Sequence, residues 1–195
     1  MKLNIIVCGV GGQGNLLASN AIADYAMDKG YTVFGTETIG AAQRGGSVVS
    51  HLRISTEDIH SPLVPAGSAD ILMAFEPSEA LRNINLVNPK GTFIVNAQPI
   101  PTVLNNMGME VYPSDADLIG AIHEKCPKGY MFNATKKASD LGNTQMTNVI
   151  MLGALTKTTA FFDKEAFKQT IMNLLPEKVR TINENAFEVG YETVD

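Results

Sequence analysis

Leu3 to Cys8 is an apolar run of strand length, broken only by Asn4, until glycines stop it. Leu16, Leu17, Asn20, Ala21, Ala23, Tyr25 and Ala26 then suit one helix, which Gly30 ends, and Tyr31 to Gly35 supplies a second strand. The first 36 residues therefore predict a βαβ opening. Thr36 to Gly46 reads as a glycine-rich loop, Ser47 to Ile54 and Ala69 to Phe75 as strands, and His60 to Gly67, with its two prolines, as loop. Pro77 suits the first position of a helix through about Leu86, because its missing N–H would be unpaired there anyway.

Asn88-Pro89-Lys90-Gly91 predicts a turn into the strand Thr92 to Asn96, and Glu110 to Tyr112 another short strand. Ser114 can cap a helix carrying Leu118, Ile119 and Ile122, and Tyr130 to Phe132 reads as one more strand. From Thr144 the pattern is helical: to about Lys157, again after the cap Asp163, and again from Pro176. The expected class is α/β, a doubly wound, Rossmann-like, mostly parallel sheet with C-terminal helices, in a single domain over residues 1–195.

Composition narrows the chemistry. A net charge of -5 and a pI near 5.2 oppose binding to a phosphate backbone, so no nucleic-acid partner is expected. Only 18% of residues are charged against 45% hydrophobic, which implies that part of the surface faces another protein. The opening MKLNIIVCGVGG lacks the long apolar core of a signal peptide, and the apolar run from Val149 to Leu155 is broken by Gly153; no membrane association and a cytoplasmic location are expected. Cys8 and Cys126 form neither a disulfide framework nor a metal-ligand spacing.

Gly9-Val10-Gly11-Gly12-Gln13-Gly14 follows the first strand and opens the first helix, the context that lifts G-x-G-x-x-G above a chance match. Without side chains the backbone can bring free N–H groups of a helix start against an anion. Ala18 allows close packing on the strand, and Glu37 stands where a ribose-binding acid would be, which supports a free-standing NAD(P)- or FAD-dependent oxidoreductase. The same glycines also serve simple packing in any α/β domain, as in a structural or regulatory binding module, and Glu37 reads equally as a solvated residue.

The stretch from Glu37 through Ile39-Gly40-Ala41-Ala42-Gln43-Arg44-Gly45-Gly46-Ser47 to Arg53, together with the glycine turn, resembles the gamma-type domain of the pyruvate, ketoisovalerate and indolepyruvate ferredoxin oxidoreductases. Ser61 to Pro65, Ala69 to Arg82 and Asn148 to Ala154 are similar to the small subunit of the indolepyruvate enzymes. The resemblance implies a subunit, inactive alone, of an enzyme that converts an arylpyruvate, coenzyme A and oxidised ferredoxin into an aryl-acetyl-CoA, carbon dioxide and reduced ferredoxin. It implies a large partner subunit bearing thiamine diphosphate, magnesium and [4Fe-4S] clusters, with coenzyme A as co-substrate and no cofactor on this chain. A gamma subunit for pyruvate or ketoisovalerate is the alternative within the family, and exposed apolar surface leaves room for a homodimer when the chain is isolated.

Gly9, Gly11, Gly12, Gln13, Gly14, Glu37, Gln43, Arg44, Gly45, Gly46 and Ser47 are the candidate cofactor-binding or interface residues. Arg44 is the one candidate catalytic side chain, since a guanidinium on a glycine-flanked loop can grip a carboxylate or phosphate; a structural pairing with a local acid is the other reading. His51 reads as interfacial or half-buried, His123 as a solvated helix residue, and Cys8 as core. Asn143 and Asn148 read as helix caps or partner contacts, and Glu76 to Glu79 as a helix start.

Overall fold

The computed structural model describes residues 1–39 and 46–195, with Ile39 described by its backbone alone. The first strand, β1 (Lys2–Val10), lies inside a six-stranded sheet and is buried from Leu3 onward. Ile5 and Val7 enter the apolar core on one face, and Ile6 and Cys8 the core on the other. This two-sided burial is why Ile5 to Cys8 are continuously apolar rather than alternating. Helix α1 (Asn15–Asp28) follows, then the strands β2 (Thr32–Ile39), β3 (Ser47–Ser55) and β4 (Ala69–Ala74).

Next come α2 (Pro77–Asn83), β5 (Val87–Asn96), α3 (Val103–Asn106), α4 (Asp115–Lys125), β6 (Gly129–Phe132) and α5 (Ala134–Asp140). The chain finishes with α6 (Thr147–Thr158), α7 (Lys164–Asn173) and α8 (Arg180–Tyr191). The sheet order is β2-β3-β1-β4-β5-β6, in which β3 runs against the direction shared by the other strands. The core on one face includes residues of α1 and of α5 to α8, and that on the other residues of α2 and α4. The mostly parallel, doubly wound α/β expectation therefore holds.

The opening is more elaborate than a plain βαβ unit. β1 and β2 do run the same way, but β3 folds back from β2 and takes the place between them, paired with β1 from Lys2 opposite Ser55 to Val10 opposite Ser47. Burial explains the choice. Ser50, Leu52 and Ile54 of β3 are buried, whereas Thr32, Phe34, Gly35, Glu37 and Thr38 of β2 are exposed, so the strand with more to bury takes the inner place.

Other boundaries also moved. β2 continues past Gly35 because Thr36 to Ile39 find partners in His51 to Val48. Asn88 to Gly91 belongs to β5, whose pairing with β4 shifts register between Ala69 and Ile71. The helix from Pro77 stops at Asn83 and tightens into a 3-10 turn over Ile84–Leu86. Glu110 to Tyr112 forms no strand, since β6 occupies the place beside β5 and Val111 projects into solvent. The short helices α3 and α5 went unforeseen. Among the described residues, no helix is long and apolar enough to cross a membrane.

α6 is buried from Val149 to Thr156, against α8, because both helices carry a glycine at their crossing. A methyl group at Gly153 would collide with the carbonyl of Phe187, and one at Gly190 with that of Ile150. Gly153→Ala or Gly190→Ala is therefore expected to cost about 3 kcal/mol in urea unfolding, since backbone rather than a flexible side chain must move. Gly120→Ala, on an exposed turn of α4 with nothing near the new carbon, should instead stabilise by about 0.5–1 kcal/mol.

Candidate functional site

At Val10 the chain leaves β1 and must enter α1 within four residues. It does so through Gly12 and Gly14, at φ +103° and +88°, a left-handed backbone that a β-carbon would strain. Gly14 is the N-cap of α1, which has no side-chain cap and no acidic residue in its first turn. The first amides of the helix thus carry uncompensated partial positive charge at this edge of the sheet.

Gln13 is turned inward. Its Oε1 accepts from the Val10 N–H at 2.7 Å and its Nε2 donates to the Phe75 carbonyl at 2.9 Å, pinning the turn to the end of β4. A side chain at Gly9 would come within 2.8 Å of Gln13 Oε1 and of Asn15 Oδ1. The buried amide of Asn15 finds no hydrogen-bond partner among the described residues.

The second glycine-bearing segment reaches the same edge. The Gly11 N–H donates to the Gly46 carbonyl at 2.9 Å, and Ser47 Oγ donates to Glu79 Oε2 at 2.5 Å. Gly9, Gly11, Gly12, Gln13, Gly14, Gly46 and Ser47 are therefore brought together, whereas Gln43, Arg44 and Gly45 lie outside the described residues. Glu37 is not part of this group. It sits on the outer strand, accepts from Ser50 Oγ at 3.1 Å, and faces β1 only across β3, about 10 Å away at two strand spacings. It lines a separate cleft of about 340 Å³ between α1 and the β2–β3 ribbon. The inserted antiparallel strand thus corrects the ribose-acid reading: the turn and the acid of a dinucleotide site are not adjacent here.

Beside the glycine turn lies a cavity of about 680 Å³. Gly12 to Gly14 form one wall, Asn143 to Asn148 at the entry to α6 another, and Pro176, Lys178 and Ile182 before and within α8 a third. Asn143 Oδ1 accepts from Gln145 N–H at 2.9 Å, so it caps the turn into α6. Asn148 sits against the glycine turn itself, its Nδ2 2.6 Å from where a Gly14 β-carbon would be. Lys178 and many amides and hydroxyls line the cavity, with no Asp or Glu among the described lining residues. Leu17, Ile100, Leu175, Val179 and Ile182 help to make most of the exposed wall apolar, so the cavity suits a ligand that pairs apolar surface with a polar or anionic group better than a cation.

The sequence reading of Glu76 to Glu79 as a helix start holds, but it missed the hydrogen-bonded corner those residues build between β4 and α2. Glu76 is fully buried and is the N-cap of α2: its Oε2 accepts from Ser78 Oγ at 2.6 Å and from Glu79 N–H at 2.9 Å. Its Oε1 accepts from Ile100 N–H at 3.2 Å and from the Tyr112 hydroxyl. The one available signal was an acid directly before Pro77 at the end of a buried strand. Burial first, then hydrogen bonding and charge from Glu76, raises the Tyr112 hydroxyl pKa, so this phenol stays protonated as a donor.

Nucleophile chemistry is poorly served here. Burial, reinforced by Glu79 and then Glu76, pushes the Cys8 thiol well above its ordinary value, and burial also raises that of Cys126. His51 is half-buried with its pKa lowered by burial, and its Nδ1 accepts from Val64 N–H at 3.2 Å, which docks the Ser61 to Pro65 loop on the sheet. Arg53 assists by donating to the Ser61 carbonyl at 2.7 Å. His123 lies with Nδ1 3.2 Å from the Pro127 carbonyl and its ring in a T-shaped contact with Phe93, and His60 is an exposed loop residue. No group of three or more His, Cys, Asp or Glu is placed to hold a metal among the described residues, and two buried cysteines cannot ligate a four-thiolate iron–sulfur cluster.

The turn geometry is testable by its own strain. Gly14→Ala is expected to lower unfolding free energy by about 1–3 kcal/mol, because a left-handed backbone and the Asn148 amide both oppose the methyl group. Gly12→Ala meets no neighbour within 4 Å and should cost only the backbone part, about 1–2 kcal/mol. Equal losses in urea denaturation would show that Asn148 does not press on the turn.

The chain matches the family model described as pyruvate ferredoxin/flavodoxin oxidoreductase over residues 4–193. It is similar to indolepyruvate oxidoreductase subunit IorB of Thermococcus kodakarensis, at 40% identity over 191 residues, which cover 97% of this chain and 94% of that one. The gamma subunit of a keto/oxoacid ferredoxin oxidoreductase from Geobacter sulfurreducens superposes with a TM-score of 0.71 at 23% identity, covering 97% of this chain and 96% of that one. A 2-oxoglutarate:ferredoxin oxidoreductase from Magnetococcus marinus contains the same fold, with a TM-score of 0.75 at 22% identity, over 98% of this chain and 30% of that chain. A match over nearly the whole length, on a fold shared with these proteins, makes this chain a member of the pyruvate ferredoxin/flavodoxin oxidoreductase family.

Proposed function

We propose that this chain is the small subunit of a cytoplasmic, ferredoxin-linked oxidoreductase complex that oxidatively decarboxylates indolepyruvate and related arylpyruvates. The observation that carries this reading is the near full-length kinship with the Thermococcus indolepyruvate subunit. In the overall reaction the bond between the 2-oxo carbon and the carboxylate breaks. Carbon dioxide leaves, the acyl group passes to the coenzyme A sulfur as the thiol proton is released, and two electrons pass to oxidised ferredoxin. Thiamine diphosphate with magnesium and the [4Fe-4S] clusters belong to the large subunit in this reading, and supply the carbanion and electron-transfer chemistry there.

The small subunit contributes shape and polarity. Two glycine-bearing segments meet at one edge of the sheet, joined through Gly11 and Gly46, and let its backbone approach the partner's pocket closely. The uncapped start of α1 and Lys178 favour negative charge in the adjoining cavity. Arg44, with Gln43 beside it, is the side chain proposed to grip a carboxylate or phosphate from substrate, coenzyme A or the partner. Without the partner's redox groups the chain alone is inactive.

Reconstitution with the large subunit tests this. Arylpyruvate- and coenzyme A-dependent reduction of a viologen dye should require both chains, and should be slower with pyruvate or 2-oxoglutarate. Arg44→Ala should reduce turnover at least about 10-fold while assembly, followed by size-exclusion chromatography, survives. Full activity of the large subunit by itself would overturn the reading.

A further inference from the structure

The loop from Ile100 to Tyr112 presents the densest run of exposed apolar side chains among the described residues. Val103, Leu104, Met107, Met109 and Val111 are 72%, 43%, 66%, 68% and 92% exposed. This is a built loop. Thr102 and Asn105 form a reciprocal capping box on α3, Asn105 Nδ2 donates to the Glu110 carbonyl at 3.2 Å, and the Met109 N–H donates to the Leu104 carbonyl at 2.9 Å. Both ends close on a single atom: Glu76 Oε1 receives the Ile100 N–H and the Tyr112 hydroxyl. A surface loop tied at its base and apolar at its tip holds those side chains away from the core.

We propose that this loop is the surface by which the chain docks onto the large subunit of its complex, inserting into an apolar recess rimmed by basic side chains. The proposal rests on the small-subunit reading above and adds where the contact is made. Charge identifies the occupant. From Gly91 to Asp117 the chain has no Lys or Arg but carries Glu110 in the loop and Asp115 and Asp117 at the start of α4, so acids stand within and directly after the apolar tip. Arg82 borders the groove beside the loop, but it is paired with Glu79 at 3.6 Å. A second copy of this acidic surface would set like charges against one another, whereas a basic rim on a different chain complements it.

Position agrees with charge. The loop follows the carboxyl end of β5, and Ile100 lines the cavity beside the glycine turn, so one partner surface can cover both. The Glu76 clasp acts by positioning: it fixes the loop's exit and return, which lowers the ordering cost of association.

The test measures association of the full chain with its large subunit by titration, alongside thermal unfolding of each variant. Val111→Asp and Met109→Asp, at sites too exposed to matter for folding, should each weaken association at least about 10-fold with unchanged melting temperature. Met27→Asp, at an apolar site 53% exposed near the end of α1 and outside the loop, should change it less than about 2-fold. Tyr112→Phe should weaken association and speed proteolytic cleavage between 100 and 112, while the rest of the chain stays protected.

Association of the Val111 and Met109 variants at the unaltered strength, or equal weakening by Met27→Asp, would overturn the docking assignment and leave the small-subunit reading standing. Loss of self-association of the isolated chain with undiminished binding to the large subunit would identify a second copy as the occupant, and would overturn it too. Failure of the unaltered chain to bind the large subunit would overturn both readings.

Discussion

Burial of β1 on both faces and both sides is the constraint from which the rest of the molecule follows. A strand with Ile5 and Val7 in one core and Ile6 and Cys8 in the other needs a helical layer above and below it and a paired strand at each flank. β3 and β4 supply the flanks, and α1 and α6 on one face, with α2 on the other, supply cover. The apolar interior then ends at Val10, where the backbone must turn at once into α1, so the glycine turn and its uncapped helix start are placed by the packing beneath them.

A second constraint works on the edge so created. Buried carboxylates persist only when their oxygens are hydrogen-bonded, and Glu76 and Glu79 meet that requirement by drawing partners from three segments. Ser47 comes from the start of β3, Ser78 from α2 itself, and Ile100 and Tyr112 from the loop after β5. One short corner therefore holds several loops in register with the glycine turn. The same charges, added to burial, keep the neighbouring Cys8 thiol protonated.

What results, among the described residues, is an edge of backbone amides, side-chain amides, hydroxyls and apolar side chains, with a lysine and no nucleophile poised to react. That inventory suits a subunit that shapes and charges a pocket while another chain performs the bond-breaking. Close backbone approach, a favourable field for anions and a fixed apolar loop are all properties of position, and they require a rigid scaffold more than reactive side chains.

Much of this was legible along the chain. The apolar run from Leu3 to Cys8, the helix after the glycines, the caps Ser114 and Asp163 and the apolar helix read from Thr144, whose first turn is 3-10 and which is α-helical from Thr147, all follow from local period and capping chemistry, which a linear sequence carries in full. The family kinship was legible too, since its motifs are contiguous. The placing of β3 between β1 and β2 was not, because it depends on which strand buries more area once both compete for one flank. That choice separates Glu37 from the glycine turn. Nor could spacing show that Glu76 meets Tyr112, 36 positions away, since a buried carboxylate finds its donors only when the loops close. Residue types and their local order decided the elements and the family; three-dimensional competition for burial and for hydrogen-bond partners decided which of those residues share a site.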